Sequence, residues 1–361
     1  MSTYTNPAAS NWTCESLTDP DVLPFHRSLP DYNETALTPL PSIAKELGIK
    51  ALFLKDESTR FGLPAFKILG ASWAVFRAVL DATELYASCF EDLKKAAKSK
   101  GVKLVTTTEG NWGRSVARMG KFLEIPVTVY VPRYMDDATQ KKIRSEGAEV
   151  ILLQEEYDGA LQVARQHSEK TGDLLVLDTS WEGYETIPRW VTEGYSTMLA
   201  EVDQQLEAAG EKPATLTIAS VGVGSWAHAV VAHYKAKKPA CAVVTVEPTA
   251  AACLNTSLKT GEVVPIETGD TIMNGMNCGT VSMIAWPYLR DGVDASVVIE
   301  DIEAHRAVLE LNEQGVKPGP CGAAPLAALR KLIKEKTVKL GAEDVVVLYC
   351  TEGARDYPVP S

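Results

Sequence analysis

Four short apolar runs, at residues 103–107, 127–131, 149–153 and 174–177, are separated by three segments of helical periodicity, 111–123, 138–146 and 158–171. A strand can lie parallel to its predecessor only after a crossover of a dozen or more residues, which a helix supplies. The alternation therefore predicts a parallel sheet covered by helices. It returns downstream: apolar runs at 215–221, 242–246, 296–299 and 344–349 are interleaved with helical patterns at 225–234, 302–312 and 323–334. Upstream, a short helix at 42–47 stops at Gly48 and leads to a strand at 51–55 and a helical pattern at 64–80. One long helix is expected over 189–208, and 255–294 reads as irregular, rich in Gly, Asn, Pro and Thr. At 361 residues, two open, mostly parallel three-layer α/β domains are expected, with ligands beyond the C-terminal ends of the strands.

Charge and cysteine usage narrow the chemistry. The 36 Lys and Arg against 47 Asp and Glu leave a formal charge of −11. Such a chain does not bind nucleic acid or an anionic membrane through bulk charge. No run approaches the roughly 18 apolar residues of a membrane helix, and the polar stretch 1–16 lacks the pattern of a secretory signal. Cys14, Cys89, Cys241, Cys253, Cys278, Cys321 and Cys350 form no C-x-x-C pair. Free thiols in a reducing compartment, the cytoplasm, are expected, with neither a disulfide scaffold nor a metal site.

Five segments can carry chemistry. In the first, 55–70, a strand runs into a polar loop and Lys67 stands near a helix start between apolar neighbours. Burial lowers a lysine pKa and frees the amine for Schiff-base chemistry; a surface lysine whose stem covers apolar neighbours fits the same pattern. In the second, Glu109-Gly110-Asn111-Trp112-Gly113 follows a Thr-rich strand end, where Asn111 can cap the next helix while offering an amide. The third, Gly222-Val223-Gly224-Ser225, joins an apolar strand to a helix and has the form of a phosphate cradle. It lacks the third glycine of a dinucleotide fingerprint, although Glu247 ends the next strand and could serve a ribose. The fourth, Asp178-Thr179-Ser180-Trp181-Glu182-Gly183-Tyr184-Glu185, places Asp178 at a strand end, where a general base can face a cleft. The fifth is Tyr349-Cys350-Thr351-Glu352-Gly353 at the last strand end.

Taken in order, these segments resemble the diaminopropionate ammonia-lyase family, fold type II pyridoxal phosphate enzymes of the tryptophan synthase β-like group. Phe25-His26-Arg27-Ser28-Leu29-Pro30, Val246-Glu247-Pro248 and Thr271-Ile272-Met273-Asn274-Gly275-Met276 extend the resemblance over residues 25–355. It implies pyridoxal 5′-phosphate as cofactor, with Lys67 as the Schiff-base lysine, Asn111 at the ring hydroxyl and Gly222, Val223, Gly224 and Ser225 around the phosphate. It also implies Asp178 and Glu109 as acid–base carboxylates and Thr351, in preference to Cys350, beside the pyridine nitrogen. The family pattern departs here in four places. Glu109 stands for Asp, Trp112 for the His of G-N-H-G, and Trp226 and His228 for smaller residues. The turn 318–323 stands for an S-G-E-S-G-A-like one.

The expected reaction is α,β-elimination of a small amino acid to a 2-oxo acid and ammonia, by a homodimer. The resemblance implies a large cofactor domain, 1–70 with 190–361, and a small domain, 71–189. β-Replacement or racemisation on the same scaffold is the alternative. A nicotinamide oxidoreductase using the Gly222–Gly224 turn would carry no lysine adduct; a catalytically silent relative would keep its cofactor without a Schiff-base absorption that shifts on adding amino acids.

Overall fold

Two sheets, not one, take up the alternation. The computed structural model describes residues 3–85 and 90–360, so Cys89 lies outside the described residues. The strands are β1 (Thr3–Thr5), β2 (Leu37–Pro39), β3 (Ala51–Asp56), β4 (Leu104–Thr107), β5 (Val127–Val131), β6 (Glu149–Leu152), β7 (Leu174–Leu175), β8 (Leu216–Ser220), β9 (Ala242–Pro248), β10 (Ala295–Ile299) and β11 (Val345–Cys350). The seven-stranded sheet has the order β1-β10-β9-β8-β11-β3-β2, and the four-stranded sheet β6-β5-β4-β7. Only the edge strands β1 and β2 of the larger sheet run antiparallel to their neighbours, and the smaller sheet is parallel throughout. The last strand, β11, lies between β3 and β8.

Every residue of β11 is buried. Val345, Val347 and Tyr349 enter one apolar core; Val346, Leu348 and Cys350 enter the other. Helices therefore cover both faces of this sheet, giving the expected three layers, and a strand buried on both sides reads as an unbroken apolar run. Among the described residues no helix is long and apolar enough to cross a membrane.

Two expectations change. The long helix is split into Thr186–Gly194 and Ser196–Ala208, with Tyr195 between them. There the Tyr195 N–H turns to the Thr192 carbonyl at 3.3 Å, the tighter bonding common at helix ends. The stretch read as irregular contains the helices Cys253–Thr260 and Trp286–Gly292. The first is rich in Ser, Thr and Asn and forms because the buried Glu247 carboxylate accepts from the N–H groups of Leu254 and Asn255, both at 2.7 Å. That cap, set in the preceding strand and not at the helix's own N-cap position, does not show in the usual capping pattern.

Candidate functional site

The loop between β3 and helix Lys67–Thr83 is fixed from below by charge. Lys55, Glu57, Arg60 and Glu201 are all fully buried. Arg60 bonds Glu57 at 2.7 Å and Glu201 at 2.6 Å, and Lys55 meets Glu201 at 2.7 Å. Two cations and two anions thus neutralise one another, the condition on which buried charges are tolerated. Above, the loop is laced to the segment after β11: Phe66 N–H donates to the Thr351 carbonyl at 3.3 Å and Gly353 N–H to the Pro64 carbonyl at 2.9 Å. Lys67 is thereby delivered as the first residue of its helix.

Its side chain enters a cavity of about 800 Å³ formed at the C-terminal strand ends of both sheets. Lys67 Nζ donates to Asp178 Oδ2 at 2.5 Å, with the Phe66 ring 5.4 Å and the Trp112 ring 5.9 Å away. Burial works most strongly against the ammonium, but the Asp178 carboxylate, together with Tyr195 and Cys278, outweighs it and holds the lysine above its ordinary pKa. Asp178 itself is buried just beyond β7. Its segment is held by Tyr184, whose hydroxyl accepts from Leu177 N–H at 3.0 Å and donates to the Leu175 carbonyl at 2.7 Å.

The turn after β4 is organised by Thr108, not by Asn111. Thr108 Oγ1 accepts from the N–H groups of Gly110 and Gly113 at 2.8 and 2.9 Å. Asn111 starts the helix as its first residue and lines the cavity without capping it, which corrects the capping role expected of it. Trp112 is pinned by its indole N–H to Thr106 Oγ1 at 3.1 Å and to the Val176 carbonyl at 3.2 Å. Glu109 is half-buried on the cavity wall and accepts a hydrogen bond from the Tyr134 hydroxyl.

Opposite these groups stands the turn Gly222–Ser225. A Cβ on Gly222 would lie 3.1 Å from the Gly275 carbonyl oxygen and 3.2 Å from Cys278 Sγ. Gly224 takes φ +95°, a conformation open to glycine at little cost. Ser225 begins the helix Ser225–Lys235. Among the described residues, no backbone carbonyl takes up the N–H groups of Gly222, Val223, Gly224 or Ser225. A helix start with unspent N–H groups favours an anion. Thr351 lines the cavity from the end of β11, its hydroxyl 3.5 Å from that of Ser220. Cys350 is turned away, its Sγ bonded to the Glu352 carbonyl at 3.1 Å. All the expected site residues, Lys67, Glu109, Asn111, Asp178, Gly222, Val223, Gly224, Ser225 and Thr351, thus border one cavity.

The ribose role for Glu247 is excluded. It is fully buried and spent on Leu254 and Asn255; burial pushes its carboxyl up to about 7 against those two hydrogen bonds. Sequence reasoning missed Tyr134 and Tyr195, for which no local pattern exists, and left Cys278 and Cys321 as residues of irregular segments. Both cysteines border the cavity, and Cys321 belongs to the helix Pro320–Lys334. Burial raises the Cys278 thiol pKa, and the Glu109 and Asp178 carboxylates add to it.

The donor set fits pyridoxal phosphate: one amine, one cradle of backbone N–H groups that a side chain on Gly222 would obstruct, and hydroxyl and amide groups between them. Comparison with known proteins agrees. Residues 29–351 match the family of pyridoxal-phosphate dependent enzymes. The diaminopropionate ammonia-lyase of Salmonella typhimurium is 35% identical over 298 residues, 80% of this chain and 74% of that one. That of Escherichia coli strain K12 is 32% identical over 353 residues, 92% of this chain and 87% of that one. The crystal structure of diaminopropionate ammonia-lyase from Escherichia coli in complex with D-serine matches with a TM-score of 0.90 at 28% identity, covering 97% of this chain and 93% of that one. The chain belongs to the diaminopropionate ammonia-lyase family of pyridoxal-phosphate dependent enzymes.

Proposed function

We propose that the protein catalyses α,β-elimination on a small amino acid, 2,3-diaminopropionate or a β-substituted alanine, serine or threonine, releasing a 2-oxo acid and ammonia. The Lys67–Asp178 pair at 2.5 Å, inside the cavity that also holds Glu109 and the Gly222–Ser225 turn, carries this reading. The names of the relatives support the same chemistry.

When bound, pyridoxal phosphate supplies an electron sink for the charge that develops at Cα. The rest falls to the chain. Lys67 would hold the cofactor through Nζ, the Gly222–Ser225 N–H groups would hold its phosphate, and Asn111 and Thr351 would hold its ring. With the substrate bound, the carboxylate of Asp178 or Glu109, or the Lys67 amine, would take the α-proton. Glu109, oriented by Tyr134, is placed to give a proton to the β-nitrogen as it departs with its bonding electron pair. The released enamine adds water and yields the 2-oxo acid and the ammonia of the α-nitrogen. Phe66 and Trp112 flank the lysine with apolar surface, which strengthens each electrostatic contact inside.

Borohydride reduction of the cofactor-loaded protein followed by peptide mapping is expected to place a phosphopyridoxyl label on Lys67; an unlabelled Lys67 overturns the reading. Product analysis separates the alternatives. Solvent deuterium at Cα without ammonia means racemisation, and incorporation of an added nucleophile means β-replacement. The proposal includes a homodimer, a cytoplasmic location, and domains bounded at 1–70 with 190–361 and at 71–189. Sedimentation, cell fractionation and limited proteolysis test these in turn.

A further inference from the structure

We infer that Tyr195 is a positioning residue for Lys67: its buried hydroxyl is the partner that the lysine amine takes when it leaves Asp178. The inference rests on the reading that Lys67 holds the cofactor. Tyr195 is fully buried at the break between the helices Thr186–Gly194 and Ser196–Ala208. Its ring packs against Phe66, the residue before Lys67, with centroids 4.9 Å apart. On another side it meets Trp226, the residue after Ser225, edge-on at 5.8 Å. It is therefore wedged between the lysine and the proposed phosphate cradle.

Two glycines make room for it. A Cβ on Gly70 would come within 2.8 Å of Tyr195 Cε1 and Cζ, and a Cβ on Gly194 within 2.5 Å of the Leu69 carbonyl oxygen. The helix carrying Lys67 and the helix preceding Tyr195 can meet this closely only because both positions lack side chains.

Yet the Tyr195 hydroxyl makes no hydrogen bond of good geometry among the described residues, with Ser225 and Lys67 its nearest candidates. An unpaired buried hydroxyl is costly, and phenylalanine would pack the same ring without that cost. The groups whose charge and polarity bear on it are Lys67, Asp178 and Ser225. Lys67 is now engaged by Asp178. During turnover it has to let go, and Asp178, one of the carboxylates proposed for proton transfer, must then be free of it. A hydroxyl beside the amine, donating to the neutral nitrogen, gives the lysine a second resting place and leaves the carboxylate free.

The test is Tyr195→Phe in the full-length, cofactor-loaded protein. The expected results are an unchanged or higher melting temperature, kcat reduced about tenfold with KM within about twofold, and a visible cofactor band whose pH midpoint rises by about half a pH unit, because the donor favouring the neutral nitrogen is gone. Wild-type kcat together with a wild-type midpoint overturns the inference. So does a lowered melting temperature with an unmoved midpoint, which would make Tyr195 a packing residue only. Failure of the underlying reading is seen separately, as an unlabelled Lys67 in the wild-type protein after borohydride.

Discussion

The Tyr134 hydroxyl donates to the Glu109 carboxylate, joining the segment after β5 to the turn after β4 at the mouth of the cavity. Burial and the neighbouring Glu109 raise the tyrosine pKa, so it remains a donor throughout the working pH range. The side chain is about half exposed, so limited packing depends on it. Tyr134→Phe is expected to lower kcat/KM about tenfold, about 1.4 kcal/mol at the transition state. The melting temperature should stay within about 1 °C. Steady-state kinetics beside a thermal melt checks this; an unchanged kcat/KM would show that Glu109 needs no such orientation.

Asp178→Asn removes the group that keeps Lys67 charged. Burial, the largest influence on the lysine, then loses its main opponent and the lysine pKa falls. The variant should accordingly capture pyridoxal phosphate at a lower pH than the wild type, while kcat drops about 10²–10⁴-fold. The two effects run in opposite directions, so a spectroscopic cofactor titration and a turnover assay on the same preparation distinguish this from simple loss of the site.

Gly222→Ala places a methyl group 3.1 Å from the Gly275 carbonyl oxygen and 3.2 Å from Cys278 Sγ. Both neighbours must give way by a few tenths of an ångström, and the cradle widens. Cofactor affinity, read by equilibrium dialysis, is expected to weaken at least about tenfold, or about 1.4 kcal/mol. Global stability of the cofactor-free chain should change far less.

Glu201→Gln leaves Arg60 and Lys55 with a single carboxylate in a region with no access to water. Breaking a buried charge network by removing one partner costs about 3–5 kcal/mol. Urea unfolding should register that loss, and cofactor binding should weaken with it, because the same network seats the loop before Lys67.

Glu247 gives a pH dependence. Its folded pKa, pushed up to about 7, lies above the unfolded value, so the folded state binds the extra proton. Stability from this group is full below about pH 4.5 and is lost as the pH rises towards 7. Glu247→Gln cannot titrate. The variant should be most destabilised relative to wild type near pH 5 and less so near pH 8, by at most about 3 kcal/mol. A pH-independent difference in urea unfolding would contradict the assignment.

How much of this was legible beforehand depends on distance along the chain. Strands and helices with regular periodicity were found where they occur, because burial on one or both faces leaves a mark every two or three to four residues. Lys67, Asn111 and Asp178 stand at strand-to-helix turns, and the turn chemistry marks such places. The bond from Trp112 to the Val176 carbonyl and the Tyr134–Glu109 bond each join segments that follow different strands. No window of sequence contains both partners. Helix Cys253–Thr260 was hidden for another reason: its composition favours a loop, and the carboxylate that overrides it stands seven residues before Leu254, inside a strand, where no capping pattern would place it.

The position of β11 between β3 and β8 bears on how the protein is made. The ribosome completes the four-stranded sheet once residue 175 has emerged. The seven-stranded sheet has to wait for residue 350. At about 5–20 residues per second, that interval is roughly 10–35 s. Throughout it β3, and from residue 220 onwards β8 as well, presents an unpaired, apolar edge, the kind of surface that invites wrong partners. A chaperone able to shield two waiting strand edges would have its longest opportunity here, and a stalled message would release a chain with half its cleft built and no floor beneath it.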